Sequence, residues 1–130
     1  MRARAPAVRV YACEVETAAP LAASLAAGRP VRVEYHASFV DGIGSPFVLE
    51  EMWPLAQRLL AGSVVSPLVE VAAAVRVLAE RNRVIAEGAG AASVAAALAG
   101  RAGTGRTVCV VSGGNIDPVK LAAILEGRVP

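Results

Sequence analysis

Val84-Ile85-Ala86-Glu87-Gly88-Ala89-Gly90-Ala91-Ala92-Ser93 passes from β-favouring residues through a glycine turn into small, helix-favouring ones. A short apolar run, a tight turn and an alanine-rich segment reaching about Leu98 predict a strand, a connection and a helix. The same order returns further on. The apolar run Thr107-Val108-Cys109-Val110-Val111 ends in Ser112-Gly113-Gly114-Asn115, and a last helix is expected over 118–125.

Working back toward the start, residues 7–13 are mostly apolar and β-favouring, which suits a buried strand of a parallel sheet. An alanine-rich helix follows over 17–27, with Thr17 as N-cap, Pro20 in the first turn and Gly28 as the stop. Residues 29–47 hold two prolines and the pair Asp41-Gly42 without a sustained period, so they read as a long loop with a short strand at 31–35. A helix over 50–60, limited by Pro54 and ended by Gly62, precedes a short strand at Val64-Val65. Ser66-Pro67 then reads as N-cap and first helical position of a helix to about Arg81, with Leu68, Val71, Val75 and Leu78 on one face. Strands and helices alternating through short connections predict an α/β fold, a parallel sheet flanked by helices, in a single partial domain over 1–130.

Composition narrows the class. The chain is 55% hydrophobic but 4% aromatic, so the core must be built from alanine, valine and leucine, which let helices lie close to a sheet. At 130 residues one core is expected. No apolar run approaches the ~18 residues of a membrane span and the start lacks a secretory stretch, so a cytoplasmic address is expected. Of thirteen basic residues twelve are arginine, spread without blocks or interleaved aromatics, which speaks against nucleic acid. Cys13 and Cys109 have no CxxC or Cys/His spacing and are expected as buried, reduced thiols.

In open parallel sheets, ligands settle beyond the carboxyl ends of the strands, and both glycine clusters lie there. The first approximates the dinucleotide fingerprint with Ser93 in the third glycine position, but residues 105–112 offer no acid for a ribose. Small residues that let a helix approach the sheet explain that cluster equally. Glu87, at a strand end before a helix N-terminus, is either a cap or a group facing a ligand. In the second cluster Ser112 offers a hydroxyl, Asn115 an amide, and Gly113 and Gly114 close backbone approach, which fits a binding site or a polar turn. His36 has no nucleophile partner at a recognisable spacing, and Asp41-Gly42-Ile43-Gly44 has the composition of a tight turn. Glu14 and Glu16 suit a hard cation or solvent.

Taken together, Glu87-Gly88-Ala89-Gly90-Ala91-Ala92 and Val108-Cys109-Val110-Val111-Ser112-Gly113-Gly114-Asn115-Ile116-Asp117 resemble the C-terminal signature of serine/threonine dehydratases and serine racemase. Val10-Tyr11-Ala12-Cys13-Glu14 and Ser38-Phe39-Val40-Asp41-Gly42 are similar to the same family upstream, so the resemblance covers roughly residues 8–118. It implies the C-terminal portion of the type II pyridoxal-phosphate fold. By position, Ser112 would hydrogen-bond the pyridine nitrogen of pyridoxal phosphate, Glu87 would lie near the ring, and Gly42 would line the pocket. Gly113, Gly114 and Asn115 would shape its rim. A hydroxyl does not enforce protonation of that nitrogen as an aspartate would, a choice that tunes the cofactor for β-elimination. The implied reaction is dehydration of a small amino acid, serine or threonine, to a 2-oxo acid and ammonia. Some members hold a divalent cation; Glu14 and the carbonyl of Ala18 match that site, but Pro20 replaces its aspartate, a departure that speaks against the metal.

Two further departures bear on activity. The only lysine, Lys120, falls on the expected last helix, where it reads as an exposed helix lysine rather than the family's Schiff-base lysine. The family's glycine-rich phosphate cradle would precede residues 8–13, yet residues 1–6 contain no glycine. The expectation is a split or truncated lyase, inactive alone, completed by an N-terminal half or partner chain and prone to form homo-oligomers. A non-catalytic binding or regulatory module of the same fold is the alternative, and a nucleotide-binding α/β domain a third.

Overall fold

The computed structural model describes residues 4–130; the start of the glycine-free segment, residues 1–3, lies outside them. Strand β1 (Tyr11–Val15) and strand β2 (Gly62–Ser66) pair in parallel, Tyr11 opposite Gly62 and Val15 opposite Ser66. The first strand therefore sits a few residues later than residues 7–13, because only from Tyr11 onward does β2 supply a ladder. Pleating sends alternate residues to opposite faces. Val15 enters the main core with Val71, Val75, Ala91, Ala95 and Ile124, so Cys13 faces that side too. Glu14 turns the other way.

On Glu14's face lies helix α1 (Pro20–Ala27), which has no side-chain cap of its own. Thr17, expected to cap it, approaches Ser38 instead, with the two hydroxyls 3.4 Å apart. The first turn of α1 is served by Glu14: one carboxylate oxygen accepts from Leu21 N at 2.8 Å, the other from Ala22 N at 2.7 Å and the Ser63 hydroxyl at 2.6 Å. A buried carboxylate held by three donors at the positive end of a helix is well satisfied. Gly28 ends α1 in the left-handed region, as the sequence indicates.

The long loop holds no strand at 31–35; its main tie is Val33 N to Pro46 O. Helix α2 (Trp53–Leu59) begins after a 3-10 turn at Glu50–Met52 and accommodates Pro54 in its first turn. Helix α3 (Leu68–Val77) starts after Pro67, not Ser66. Ser66 is buried with its hydroxyl unpartnered, and Glu16 reaches across from the end of β1 to accept from Leu68 N at 2.8 Å. A π turn, Leu78–Asn82, follows and closes with Arg83 in the left-handed region.

Helix α4 (Gly88–Leu98) packs against α3, β1 and β2, opposite α1, and helix α5 (Pro118–Leu125) rests on α3. The sheet is thus covered on both faces in the manner of parallel α/β layers. Residues 84–86 and 107–111, expected as strands, belong to no ladder among the described residues. A strand is defined by its partner, and no described backbone bonds to residues 107–111. Cys13 and Cys109 are free and half-buried, and no helix of the described residues is long and apolar enough to cross a membrane.

Two outcomes follow from this packing. Glu14→Ala strands three donors and should lower stability by about 3 kcal/mol in urea denaturation, whereas Glu16→Ala, at an exposed cap, should cost about 1 kcal/mol. Burial, and then the neighbouring Cys109, raise the Cys13 pKa. The folded chain therefore holds this proton longer than the unfolded one, and stability falls as pH rises above the ordinary thiol range. Iodoacetamide should modify Cys13 more slowly than a free cysteine at the same pH.

Candidate functional site

The site is built where the two glycine turns meet. Glu87 N donates to Gly113 O at 3.0 Å, and Glu87 O accepts from Ala91 N, so Glu87 both anchors the second turn and opens α4. No side chain caps α4, and its N-cap residue Glu87 has extended backbone angles. The approach is too close for larger residues. A Cβ on Gly90 would lie 2.5 Å from Gly113 O, and one on Gly114 would lie 2.6 Å from Ile85 O. A Cβ on Gly113 would collide with Glu87 Oε1, and one on Gly42 would sit 3.0 Å from the Ala89 side chain and 3.4 Å from Glu87 Oε1. Gly42, Glu87, Gly90 and Gly113 are therefore one packed unit, assembled from three separate segments.

Of this unit, Glu87 borders a cavity of about 440 Å³ that Phe39, Asp41, Asn115, Asp117 and Lys120 also line, among others. Phe39 is buried and forms an apolar wall, while Asn115 and Asp41 are exposed at the rim. Ser112 stands exposed just before the turn. Ser93, in the place of a third fingerprint glycine, spends its hydroxyl on Val110 O at 2.9 Å. That bond, with the Cys109 thiol to Ser93 O at 3.4 Å, holds residues 109–110 against α4 and sets the direction in which Ser112 leaves.

Asp117 and Lys120 are the residues that sequence reasoning undervalued. Asp117 caps α5 by accepting from Val119 N at 2.7 Å, with Pro118 in the first turn. That cap puts Lys120 in the same turn, where it is half-buried and lines the cavity. A lysine near a helix N-terminus opposes the helix dipole, and this misplacement was the available signal. The cavity thus offers one amine, three carboxylates, an amide and an apolar wall.

The remaining candidates lie elsewhere. Glu14 commits both oxygens to α1 and Ser63, and Ala18 is buried in a turn, its N–H donating to Val15 O. No group of three or more His, Cys, Asp or Glu side chains among the described residues is arranged to hold a metal ion. His36 is exposed, 3.5 Å from Glu34.

Comparison with known proteins agrees with this geometry. The family model of pyridoxal-phosphate dependent enzymes matches residues 1–113. The L-threonine ammonia-lyase of Geobacter sulfurreducens is 35% identical over 123 residues, covering 93% of this chain and 31% of that protein. Among solved structures, the processed form of threonine deaminase isoform 2 from Solanum lycopersicum superposes with a TM-score of 0.86 at 28% identity, over 97% of this chain and 36% of that one. Maize serine racemase gives 0.83 at 26%, over 96% and 41%. The chain spans less than half the length of each of these relatives. From residue 1 to the glycine turn at Gly113, this chain belongs to the family of pyridoxal-phosphate-dependent enzymes, in its type II fold.

Proposed function

We propose that this chain forms the ring-binding side of the cofactor site in a lyase that dehydrates serine or threonine to a 2-oxo acid and ammonia. The observation that carries the reading is the packed unit of Gly42, Glu87, Gly90 and Gly113 beside one cavity. Glu87 of that unit lines the cavity with Phe39, Asn115 and Lys120, so a ligand held there meets polar groups and one apolar wall. Likeness to the Geobacter sulfurreducens L-threonine ammonia-lyase supports the choice of reaction.

The cofactor, when bound, supplies an electron-withdrawing ring. The chain's own residues do the rest of what is proposed here. Ser112 presents a hydroxyl to the ring nitrogen, donating or accepting without a fixed charge. Glu87, held by its backbone bond to Gly113, keeps its carboxylate beside the ring position. Asn115 borders the cavity, Gly113 and Gly114 would shape the rim as the family resemblance implies, and Phe39 forms an apolar wall. Covalent attachment of the cofactor calls for a lysine that Lys120, tied to the first turn of α5, does not replace. The chain alone is accordingly read as inactive, with the lysine and phosphate cradle supplied by the rest of the fold. The cation reading of Glu14 and Ala18 has weaker support, since the Glu14 carboxylate already serves three donors. A non-catalytic binding module is the second reading, favoured by Lys120 being the only lysine in the sequence.

The test is a pyridoxal-phosphate titration of the purified chain, followed by visible absorbance with and without borohydride. Reversible binding without a trapped adduct is expected. A trapped adduct that disappears in Lys120→Ala would place the covalent anchor in this chain and overturn the assignment of halves. Serine or threonine turnover that fails even with a lysine-bearing remainder of the fold present would leave the binding-module reading. Gly90→Ala should weaken binding several-fold and cost about 1–3 kcal/mol of stability, because its methyl meets backbone rather than a movable side chain.

A further inference from the structure

Helix α2 turns one side toward the rest of the chain: Trp53, Ala56 and Leu60, spaced three and four residues apart, are half-buried. Beside that side runs a second apolar stripe with the same spacing, turned to solvent. Met52 is 51% exposed, Leu55 39% and Leu59 37%. Phe47 and Leu49, on the approach to the helix, are exposed as well. Single apolar side chains are ordinary on a surface, whereas a contiguous stripe at helical spacing marks a contact face.

The charges beside the stripe say what covers it. Glu51 precedes Arg58 by two helical turns, so both lie on the same flank of the stripe, separated by ~10 Å of helical rise. Neither makes an ion pair among the described residues. Turned end over end about an axis at Leu55, the stripe maps onto itself: Met52 meets Leu59 of a second copy, Leu55 meets Leu55, and each Glu51 meets the opposite Arg58. A parallel pair would instead set Glu51 level with Glu51 and Arg58 level with Arg58, and lose that match.

The end of the helix that the opposite Arg58 and Leu59 reach also borders an open groove of about 440 Å³, lined by Val31, Phe47, Val48, Leu49, Glu50 and Glu51, among others. Apolar walls with two acids at the edge receive a leucine with an arginine beside it. The stripe, the flanking charges and the groove thus call for the same occupant.

We propose that residues 47–59 form a contact between two copies of this chain, closed by a two-fold axis at Leu55 with the two α2 helices antiparallel. Such a contact uses one patch twice and stops at two copies. It is small, a seven-residue helix with its approach, so association falls in the micromolar range or weaker. It shares no residue with the cavity beside Glu87 and does not rest on the lyase reading.

The experiment is sedimentation velocity on the full chain from about 1 μM to about 1 mM, where a mass rising from one copy to two and no further is expected. Leu55→Asp sets two carboxylates together on the axis and should leave a monomer throughout. Circular dichroism and melting of the dilute chain should not change, because Leu55 is exposed. Glu51→Arg and Arg58→Glu each turn two symmetry-related attractions into repulsions and should weaken association about tenfold, more at low salt, while the double exchange restores it. A chain that stays monomeric, a dimer that survives Leu55→Asp, or single exchanges that the double one does not rescue each overturn the proposal. So does another occupant: a polypeptide comprising the Geobacter sulfurreducens L-threonine ammonia-lyase outside its matched residues that binds this chain, and loses that binding on Leu55→Asp, would take the stripe for the remainder of the fold. Should Leu55→Asp unfold the dilute chain, the exchanges at exposed Glu51 and Arg58 decide alone.

Discussion

The bond from Glu87 N to Gly113 O, made at van der Waals contact between glycine backbones, is the constraint on which the candidate site depends. It ties the start of α4 to the turn before α5 and sets Ser112, Asn115 and Glu87 in one neighbourhood. Bulk at any of the crossing points would separate the two turns, since Gly90 meets Gly113 backbone and Gly114 meets Ile85 O. The alanine-rich face of α4 serves the same end. Ala91, Ala92, Ala95 and Ala96 are buried, and small side chains bring the helix axis close to the sheet.

Carboxylates at the end of β1 organise the other helices. Glu14 and Glu16 are two residues apart on the same strand face direction, yet one caps α1 from a buried position while the other reaches the exposed start of α3. Neither α1 nor α3 carries a capping side chain of its own. The helices are therefore capped from the sheet, which couples helix placement to strand position more tightly than a local cap would.

How far the sequence could be read follows from the range of each interaction. Pro118 and Asp117 mark the start of α5 within three residues, and Gly28 needs only its own left-handed backbone, so both ends were legible. Ser66 and Thr17 look like caps by residue type, but Glu16 reaches α3 from 52 residues away and Glu14 reaches α1 from seven residues before, off the end of β1, substitutes that residue type at the cap position does not encode. The glycine turns pointed to the candidate site, while the place of Lys120 at the cavity depended on the turn geometry that buries half of it. The strands at 84–86 and 107–111 have the right composition and no ladder, because composition specifies a preference and only a partner satisfies it.

That unmet preference has an energetic side. Val108, Val110 and Ile85 expose apolar surface that a covered sheet would bury, and each valine so buried is worth roughly 1.5–3 kcal/mol. Residues 107–111 are held only through Ser93 and Cys109 on one face, so the turn carrying Ser112 is positioned by side-chain bonds rather than by a ladder. A cofactor site needs its contact atoms fixed within a fraction of an ångström. Pairing in the plane of a sheet would fix the backbone of 107–111, whereas the exposed valine side chains point out of that plane and call for a covering layer, so geometry and coverage are separate requirements.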